Sequence, residues 1–584
     1  MEPKIFKKDL EVLRAQLENE RATFLTHWRD LGDYILPRRP RFTVTDTNKG
    51  DRRNQKIIDA TATLAARTLR SGLMSGVTSP ARPWFRLTTP DPKLREIASV
   101  KAWLDDVERA MYAVFLKSNL YNALPTVYGD MGIFATAAVH IEEDIEHVIR
   151  AYPYPIGSYM IANDDRLKVN VFFRDFRMTV RQLVDKFGYD DGPEIDWTKF
   201  SLSVKQLYDK GMHDAWVDVC HVIKPNPLFD KNKLHAKYKK FMSYYYERGQ
   251  QGSSGITFGP NDDQFLRASG YDHFPVLCPR WETTGEDAYG TECPGMQSLG
   301  DIKALQLMQK RKSQAVEKMV NPPMTGPVSL KNQRSSIIAG DITYVDSRDQ
   351  QSGFRPVHEV NPRVQELLAD IQDTQNRVRR AMYEDLFLLL SQDDRSGITA
   401  REVDERHEEK LLALGPVLEQ LNQDLLDPLI DITFDIMVKQ GRIPTPPEEL
   451  KGQPLRIEYV SVMAQAQKLV GISNIERFLG VAGQIIKFNP ESSDKIDFDQ
   501  ALDIYGDTLS IQTGIIRPDD QVADRRQARA AQQQAQQQAE QAAMAAKSAR
   551  DLSQTDLSSN NALKQVVDQT QQQAGAPGRA GAQA

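Results

Sequence analysis

The residues that could do chemistry do not form a recognisable reactive set. Glu142, Glu143 and Asp144 could in principle bind a metal ion. Because no acidic or histidine partner stands at the spacing of a metal motif, a solvated strand end is the favoured interpretation. The run 406–409, RHEE, departs from H-E-x-x-H and is typical of a charged helix face. The sequence therefore predicts no catalytic residue, no metal site and no cofactor.

Nucleotide chemistry has equally little support. The chain has no G-x-x-x-x-G-K-[ST] phosphate loop and no G-x-S-x-G nucleophile elbow. The run 72–76, GLMSG, contains two glycines but no phosphate-binding lysine, and it is interpreted as a turn. A nucleotide-driven motor would hydrolyse ATP, and a nuclease would cleave DNA, without any other protein. The missing motifs argue against both functions.

Composition narrows the class of protein. A chain of 584 residues is too long for one core, so several sub-domains are expected. No run approaches the ~18 consecutive apolar residues of a membrane helix, and no membrane partner is predicted. The net charge of −6 is unlike that of a protein that grips DNA tightly, so any DNA contact should be loose or confined to small basic patches. Three scattered cysteines are expected to be buried thiols.

Mixed secondary structure is predicted for the first half of the chain. Helical spacing predicts helices within residues 1–35, 57–74 and 93–123. An α+β region follows, with a short helix that begins after Thr179 as its N-cap. Strands are expected at residues 137–141, 169–173, 216–223 and 237–246. The Trp84-Phe85 pair is interpreted as core or subunit interface.

Two amphipathic helices stand at the centre of the chain. Residues 298–320 carry an apolar stripe, and the helix must end at Pro322-Pro323. Residues 362–390 carry a second stripe and begin with Pro362 after the cap Asn361. On the second helix two i,i+4 ion pairs are expected, Asp373 with Arg377 and Arg380 with Glu384. Packed antiparallel, the helices would form a stalk with residues 321–361 at its tip, although periodicity alone favours an ordinary helical hairpin.

The remaining segments alternate between loop and helix. A polar loop at 391–399 precedes a capping box formed by Thr399 and Glu402, which opens a helix at 400–441 kinked at Gly415-Pro416. Further on, the sequence predicts a strand at 455–462, short helices within 463–516, a Gln/Ala-rich helix at 525–550 and a disordered tail at 551–584.

Several segments, in their order and spacing, resemble the podovirus head-to-tail connector, or portal, family. They are WRDLGDYILPRR at 28–39, AARTLRSGLMSGVTSP at 65–80, RPWF at 82–85, FFRDFRMT at 172–179, YG at 289–290, PG at 294–295, LGDIK at 299–303, EKMVNPP at 317–323 and TAREV at 399–403. No single segment decides the matter, but together they cover roughly residues 1–510. The resemblance favours the stalk over the ordinary hairpin.

The resemblance implies a mixed, mainly α fold with an α+β wing, assembled as a dodecameric ring. Its implied divisions are the wing at 1–297, the first stem helix at 298–320, the clip at 321–361, the second stem helix at 362–390, the tunnel loop at 391–399, a long kinked wing helix at 400–441, a wing strand segment at 442–462, the crown at 463–524 and a barrel helix at 525–550. The implied function is the channel at the capsid vertex for double-stranded DNA packaging, retention and ejection.

The implied partners are the terminase large subunit, tail adaptor or nozzle proteins, and the major capsid and scaffolding proteins. The protein would be part of the virion and would assemble in the cytoplasm of the bacterial host. Twelve copies would carry a charge of about −72, which repels DNA and suits sliding. Candidate residues for DNA contact in the channel are Lys303, Lys310, Arg377, Arg380, Asp393, Asp394 and Arg395. Solvated charges or ion pairs between subunits are the alternative for each of them, and a helical adaptor or scaffold is the alternative for the whole chain.

Overall fold

The structure, a computed structural model, describes the following residues: 6–320, 324–325, 355–356, 364–391, 414–460, parts of 478–488, 500 and 519–553. Short gaps within these ranges fall at residues 47–49, 92–93, 95–96, 190–191, 249, 253–254, 258–264, 451 and 453–454. The chain divides into two compact units, Met1–Ser493 and Asp494–Ala584.

Before the two large sheets, the described residues include the helices α1 (Lys7–Tyr34), α2 (Thr61–Val77), α3 (Ala98–Lys117) and α4 (Leu120–Phe134). The single helix predicted at 93–123 is wrong, because Ser118 takes an extended conformation that ends α3 before α4 begins. The turn predicted at 72–76 is also wrong, since both glycines lie inside α2. The missing side chain of Gly72 allows close helix packing there, as described below.

Two antiparallel sheets form the α+β region. Their strands are β2 (Ala138–Asp144), β3 (Val148–Tyr154), β4 (Tyr159–Asn163), β5 (Val169–Thr179), β6 (Trp216–Pro225), β7 (Phe241–Glu247), β10 (Arg267–Tyr271) and β11 (Val276–Leu277). The five-stranded sheet has the order β10-β7-β6-β5-β4, and the three-stranded sheet has the order β11-β2-β3. A separate hairpin pairs β8 (Gln250–Gly252) with β9 (Gly255–Thr257). The predicted strands fall within or overlap these elements, although residues 237 and 238 belong to a short 3-10 helix (Ala236–Tyr238) and not to a strand.

Two short helices, α5 (Val180–Phe187) and α6 (Leu202–Asp209), cover part of the large sheet. The predicted N-cap of α5 is confirmed: the Thr179 hydroxyl accepts from the Gln182 backbone N–H, and the Gln182 side chain accepts from the Thr179 backbone N–H. This capping box satisfies amides that would otherwise lack partners at the helix start.

A large core joins α1–α4, both sheets and the central helices. Trp84 and Phe85 are buried in it at 1% and 0% exposure, which confirms their predicted place in the core. The start of α1 crosses the large sheet and buries Leu10 and Leu17 against it. All three cysteines are free and buried, as expected.

The central helices are α7 (Pro294–Val320), α8 (Val364–Ala381) and α9 (Glu384–Ser391). The continuous helix predicted at 362–390 is wrong, because Tyr383 adopts a positive φ of 56° and separates α8 from α9. Between α7 and α8, β12 (Met324–Thr325) pairs with β13 (Arg355–Pro356), so the two ends of the 321–361 segment lie side by side.

A further helical stretch comprises α10 (Gly415–Leu421), a π-helical turn (Asn422–Leu426) and α11 (Asp427–Lys439). Pro416 lies in the first turn of α10, and Gly441 follows α11 with a φ of +65°. Strand β14 (Arg456–Tyr459) then pairs with β1 (Phe85–Thr88), which joins the segment after α11 to the segment between α2 and α3. The predicted strand at 455–462 is thereby confirmed over these four residues.

In the second unit, α12 (Asp519–Ser553) contains the predicted Gln/Ala-rich helix. Its side chains are exposed from Arg525 to Met544 within this second unit. The helix includes residues 551–553, which were assigned to a disordered tail; the rest of that tail lies outside the described residues.

Candidate functional site: the central helix pair and its base

Helices α7 and α8 pack as neighbours, as the stalk prediction requires. Arg377 on α8 donates to both carboxylate oxygens of Asp301 on α7, at 3.2 and 3.3 Å. Ile302 and Leu305 of α7 are fully buried, as is Val378 of α8. The first half of α7 and the last part of α8 form the lower half of the pair. Apolar contact and a charged pair fix the alignment of the helices there.

Asp59, which lies two residues before α2, anchors both helices. One carboxylate oxygen of Asp59 accepts from the side-chain amides of Gln309 on α7 and Gln375 on α8, at 2.9 and 2.8 Å. The other oxygen accepts from the backbone N–H of Thr61 at 2.9 Å. Gln306 adds a reciprocal pair, because its amide accepts from the Asp59 backbone N–H and donates to the Asp59 carbonyl.

The hydrogen bonds outweigh burial in the electrostatics of Asp59. Partial burial favours the neutral acid and raises its pKa, but the donors Thr61, Gln375 and Gln309 favour the carboxylate. The net result is a pKa below the ordinary value. Asp59 is therefore held as an anion that accepts hydrogen bonds from three elements.

The base of the pair depends on a close approach between α2 and α9. A Cβ atom built on Gly72 would lie 2.1 Å from Phe387 of α9, so only glycine leaves room for this ring. Phe387 itself is 5% exposed. The glycine run, which carries no phosphate chemistry, thus serves the packing of the segment that leads to residue 391.

The upper half of the helix pair, formed by the end of α7 and the start of α8, has exposed apolar side chains. Val316, Met319 and Val320 of α7 are exposed at 42%, 53% and 80%, and Leu368 of α8 at 36%. An apolar stripe in an isolated chain costs free energy unless another surface covers it. The lower half of the pair is thus joined to the body of the unit, while the upper half carries exposed apolar side chains.

The chain matches a family of known proteins along most of its length. The model of the family described as bacteriophage head to tail connecting protein matches residues 7–516. This chain belongs to the bacteriophage head-to-tail connector family. The predicted family is therefore confirmed.

Two curated connector relatives agree with the family match. The chain is 47% identical to the portal protein of Salmonella phage epsilon15 over 563 residues, which cover 96% of this chain and 97% of the relative. It is 43% identical to the probable portal protein of Bordetella phage BPP-1 over 553 residues, which cover 95% and 96%. These matches confirm the predicted portal function. The connector family is not an enzyme class.

The predicted DNA-contact residues of this connector fall into two groups. Lys303 pairs with Asp30 of α1 at 2.6 Å, and Arg377 is held by Asp301 and by Asp373, the latter at 2.8 Å as predicted. Lys310 and Arg380 are exposed, and among the described residues neither has a carboxylate partner.

The predicted Arg380–Glu384 pair is wrong. Glu384 pairs with Arg379 at 3.6 Å. The break at Tyr383 changes the helical phase between the two segments, so the i,i+4 rule does not apply across it. Asp393, Asp394, Arg395, Thr399 and Glu402 lie outside the described residues, and their assignment stays a prediction.

A second charged anchor joins the sheet region of the connector to the π-helical turn. Arg280, 2% exposed, donates to both oxygens of Asp424 at 3.0 and 3.1 Å and to the Leu167 carbonyl at 2.9 Å. A buried, bidentate pair of this kind fixes orientation as well as distance. It holds the helical stretch that follows residue 413 against the sheets.

Sequence reasoning missed the anchoring residues Asp59, Gln306, Gln309, Gln375, Arg280 and Asp424. Gln306, Gln309 and Ser313 follow one another at spacings of three and four residues on α7, a polar face that could have suggested a partner. The sequence could not identify the partner, because Asp59 lies 247 positions from Gln306 and 250 from Gln309.

The acidic run at the end of β2 has a structural role. Asp144 accepts from the backbone N–H groups of Glu146 and His147 and from Arg150, and these bonds close the β2–β3 hairpin. Within the described part of the chain, no group of His, Cys, Asp and Glu side chains is arranged to hold a metal ion. Among the described helices, none is long and apolar enough to cross a membrane.

Proposed function

We propose that twelve copies of this chain form a ring whose central channel conducts double-stranded DNA, with α7 and α8 as the stem. The observation that carries this proposal is the asymmetry of the helix pair. Its lower half is buried and anchored at Asp59, whereas Val316, Met319 and Val320 remain exposed. Contacts with the same helices of neighbouring copies would cover this stripe, because subunits of a closed ring share one repeated interface.

Loose contact with DNA follows from the charges that remain available. Lys303 and Arg377 are already engaged by carboxylates of their own chain. Exposed Lys310 and Arg380 would supply rings of movable phosphate contacts on a background of net negative charge. Few phosphate contacts release few counterions, so DNA is contacted without being arrested. The loop residues Asp393, Asp394 and Arg395 complete the proposed channel contacts.

The remaining divisions take the roles that the family resemblance implies. Residues 1–297 and 442–462 would form the wing, and the segment 321–361 would form the clip that docks the terminase large subunit and later the tail adaptor or nozzle proteins. Residues 463–524 would form the crown and 525–550 a barrel helix. The ring would occupy the capsid vertex of the virion, contact the major capsid and scaffolding proteins, and assemble in the host cytoplasm.

Electron microscopy of the purified full chain tests the ring. Views along the symmetry axis should show twelve subunits around a central hole, and Val316→Asp with Met319→Asp should reduce ring formation. A monomer or a closed particle without a lumen would refute the proposal and favour an adaptor or scaffold. Phosphate release from ATP by the chain alone would instead favour a motor.

A packaging assay tests the charges. Lys310→Gln with Arg380→Gln should leave ring formation intact and alter DNA packaging or retention. Arg109→Gln is a matched control, because Arg109 is an exposed arginine of α3 outside the helix pair. Equal packaging by all three proteins would contradict the assignment of Lys310 and Arg380.

A further inference from the structure

A cleft lies between the two sheets, away from the central helix pair. The β2–β3 hairpin forms one wall, and β5, α5 and β7 form the other. Its volume is about 290 Å³, close to the lower limit of about 300 Å³ for sites that hold small organic ligands. The walls are mainly rings, contributed by Tyr152, Pro153, Pro155, Phe176 and Tyr245.

Arg174 presents a fixed guanidinium plane in this cleft. Its central carbon lies 4.1 Å from the ring centroid of Tyr154 and 4.8 Å from that of Phe176. Contact with the two rings restricts the plane of the guanidinium while its N–H groups point along the plane. Its Nε atom is buried and has no hydrogen-bond partner among the described residues. A planar group held in this way suits bidentate binding of a carboxylate or phosphate.

His140 supplies a second unsatisfied polar atom. The side chain is 2% exposed and lines the cleft, and its Nδ1 lies 3.1 Å from the Tyr154 hydroxyl. Its Nε2 atom is buried without a partner among the residues described. Buried polar atoms are nearly always hydrogen-bonded, so the two unpartnered atoms, Arg174 Nε and His140 Nε2, mark the polar end of this cleft. Burial, together with the charges of Arg174 and Lys186, lowers the pKa of His140 to about 3 and keeps its ring neutral.

The charge of the cleft favours an anion. Lys186 of α5 lines it together with Arg174, and Glu142 is the one carboxylate among the described residues of the lining. Arg267 of β10 adds a further positive charge near Lys186 and Tyr245. Among the described residues, the three cations Arg174, Lys186 and Arg267 therefore outnumber the one lining carboxylate, Glu142.

We propose that this cleft binds a small oxyanion attached to a flat apolar group, with the oxyanion on Arg174 and Lys186. The flat group would lie along the tyrosine and proline rings. Carboxylate and phosphate share the chemistry that a guanidinium fork recognises, and the test separates them. The proposal is independent of DNA passage, since none of its residues lies on α7 or α8.

Isothermal titration of the assembled full-length protein tests the site. The probes are deoxyadenosine monophosphate, benzoate, inorganic phosphate and uncharged deoxyadenosine. We expect at least one of the first two to bind more tightly than both of the last two. Tighter binding of the nucleotide identifies a phosphate ligand, and tighter binding of benzoate identifies a carboxylate ligand.

Variants then assign the binding to this cleft. Arg174→Gln should weaken binding about tenfold or more, because it removes a charge-assisted bidentate contact. Lys186→Met, a change at an exposed side chain, should weaken binding by a smaller factor, and Glu142→Gln should strengthen it. Arg177→Gln on the same strand is the matched control, because Arg177 pairs with Asp218 and does not line the cleft.

Several results would overturn the proposal. They are the absence of binding by both flat anions at millimolar concentration, equal binding of deoxyadenosine or of inorganic phosphate, and unchanged affinity in Arg174→Gln. If Arg174→Gln does not assemble, Lys186→Met decides the matter, and unchanged affinity there also refutes the site.

Discussion

Replacing Gly72 by alanine is expected to displace α9 from α2. The new Cβ would lie 2.1 Å from both Cγ and Cδ1 of Phe387 and 2.7 Å from its Cβ, distances that van der Waals contact does not allow. Phe387 is 5% exposed, so its ring has little room to move aside. Because α9 leads directly to residue 391, the displacement should reach the segment assigned to the tunnel loop.

The expected magnitude combines two opposing effects. Alanine inside a helix gains about 1 kcal/mol over glycine from backbone entropy. Overpacking of a filled core costs about 1–3 kcal/mol, and the short distances at Gly72 place it toward the upper end. The variant should therefore be less stable than the wild type by about 1–2 kcal/mol. Gly300→Ala on α7 is the matched control, because its Cβ would meet nothing within 4 Å and should stabilise the protein.

Hydrogen–deuterium exchange of the peptide that contains α9, together with calorimetric unfolding, measures the effect. Exchange in α9 should accelerate in Gly72→Ala and stay unchanged in Gly300→Ala. A double-mutant cycle with Phe387→Ala should show a favourable coupling of about 1–3 kcal/mol, since the new methyl group would fill space left by the ring. Additive effects, or a Gly72→Ala variant as stable as Gly300→Ala, would refute the proposed close packing.

Three further predictions concern the anchors and the loop. Asp59→Asn should destabilise the chain by about 1 kcal/mol at neutral pH, once the partial exposure of this group is taken into account. Because folding lowers the pKa of Asp59, its stabilisation is complete above the ordinary value of 3.8 and is lost as the pH falls through the folded-state value, which unfolding curves at decreasing pH can follow. Arg280→Met should cost about 3–5 kcal/mol in unfolding experiments, because it leaves Asp424 buried without its charged partner. Thr399→Ala should weaken a helix start by about 1 kcal/mol, so that rings assemble while a packaging assay detects failed DNA packaging or retention.

Each of these predictions has a contrary outcome. A stability difference between wild type and Asp59→Asn that persists undiminished at low pH would show that the Asp59 charge is not its source. If Arg280→Met and the double variant with Asp424→Leu lose the same stability, the cost comes from packing and not from an unpaired carboxylate. Normal packaging by Thr399→Ala would show that residues 391–399 are not the tunnel loop.

Local features of this fold were predictable because their causes are local. The Thr179 cap depends on a residue three positions along the chain, and the periodicity of α1, α7 and α8 reflects which faces are buried. The breaks at Ser118 and Tyr383 were not predictable in this way. Both interrupt apolar patterns that continue across them, and a helix period carries no information about a single residue that leaves the helical conformation.

By itself, the sequence determined the α+β composition, most element positions, the absence of known catalytic motifs and the membership of the connector family. Only the tertiary structure decided that Asp59 joins α2, α7 and α8, that Gly72 accommodates Phe387, and that Arg174 and His140 meet in one cleft. The physical reason is that capping and helix periodicity act over a few neighbouring residues. Anchors and clefts instead depend on side chains up to hundreds of positions apart, which only folding brings within hydrogen-bonding distance.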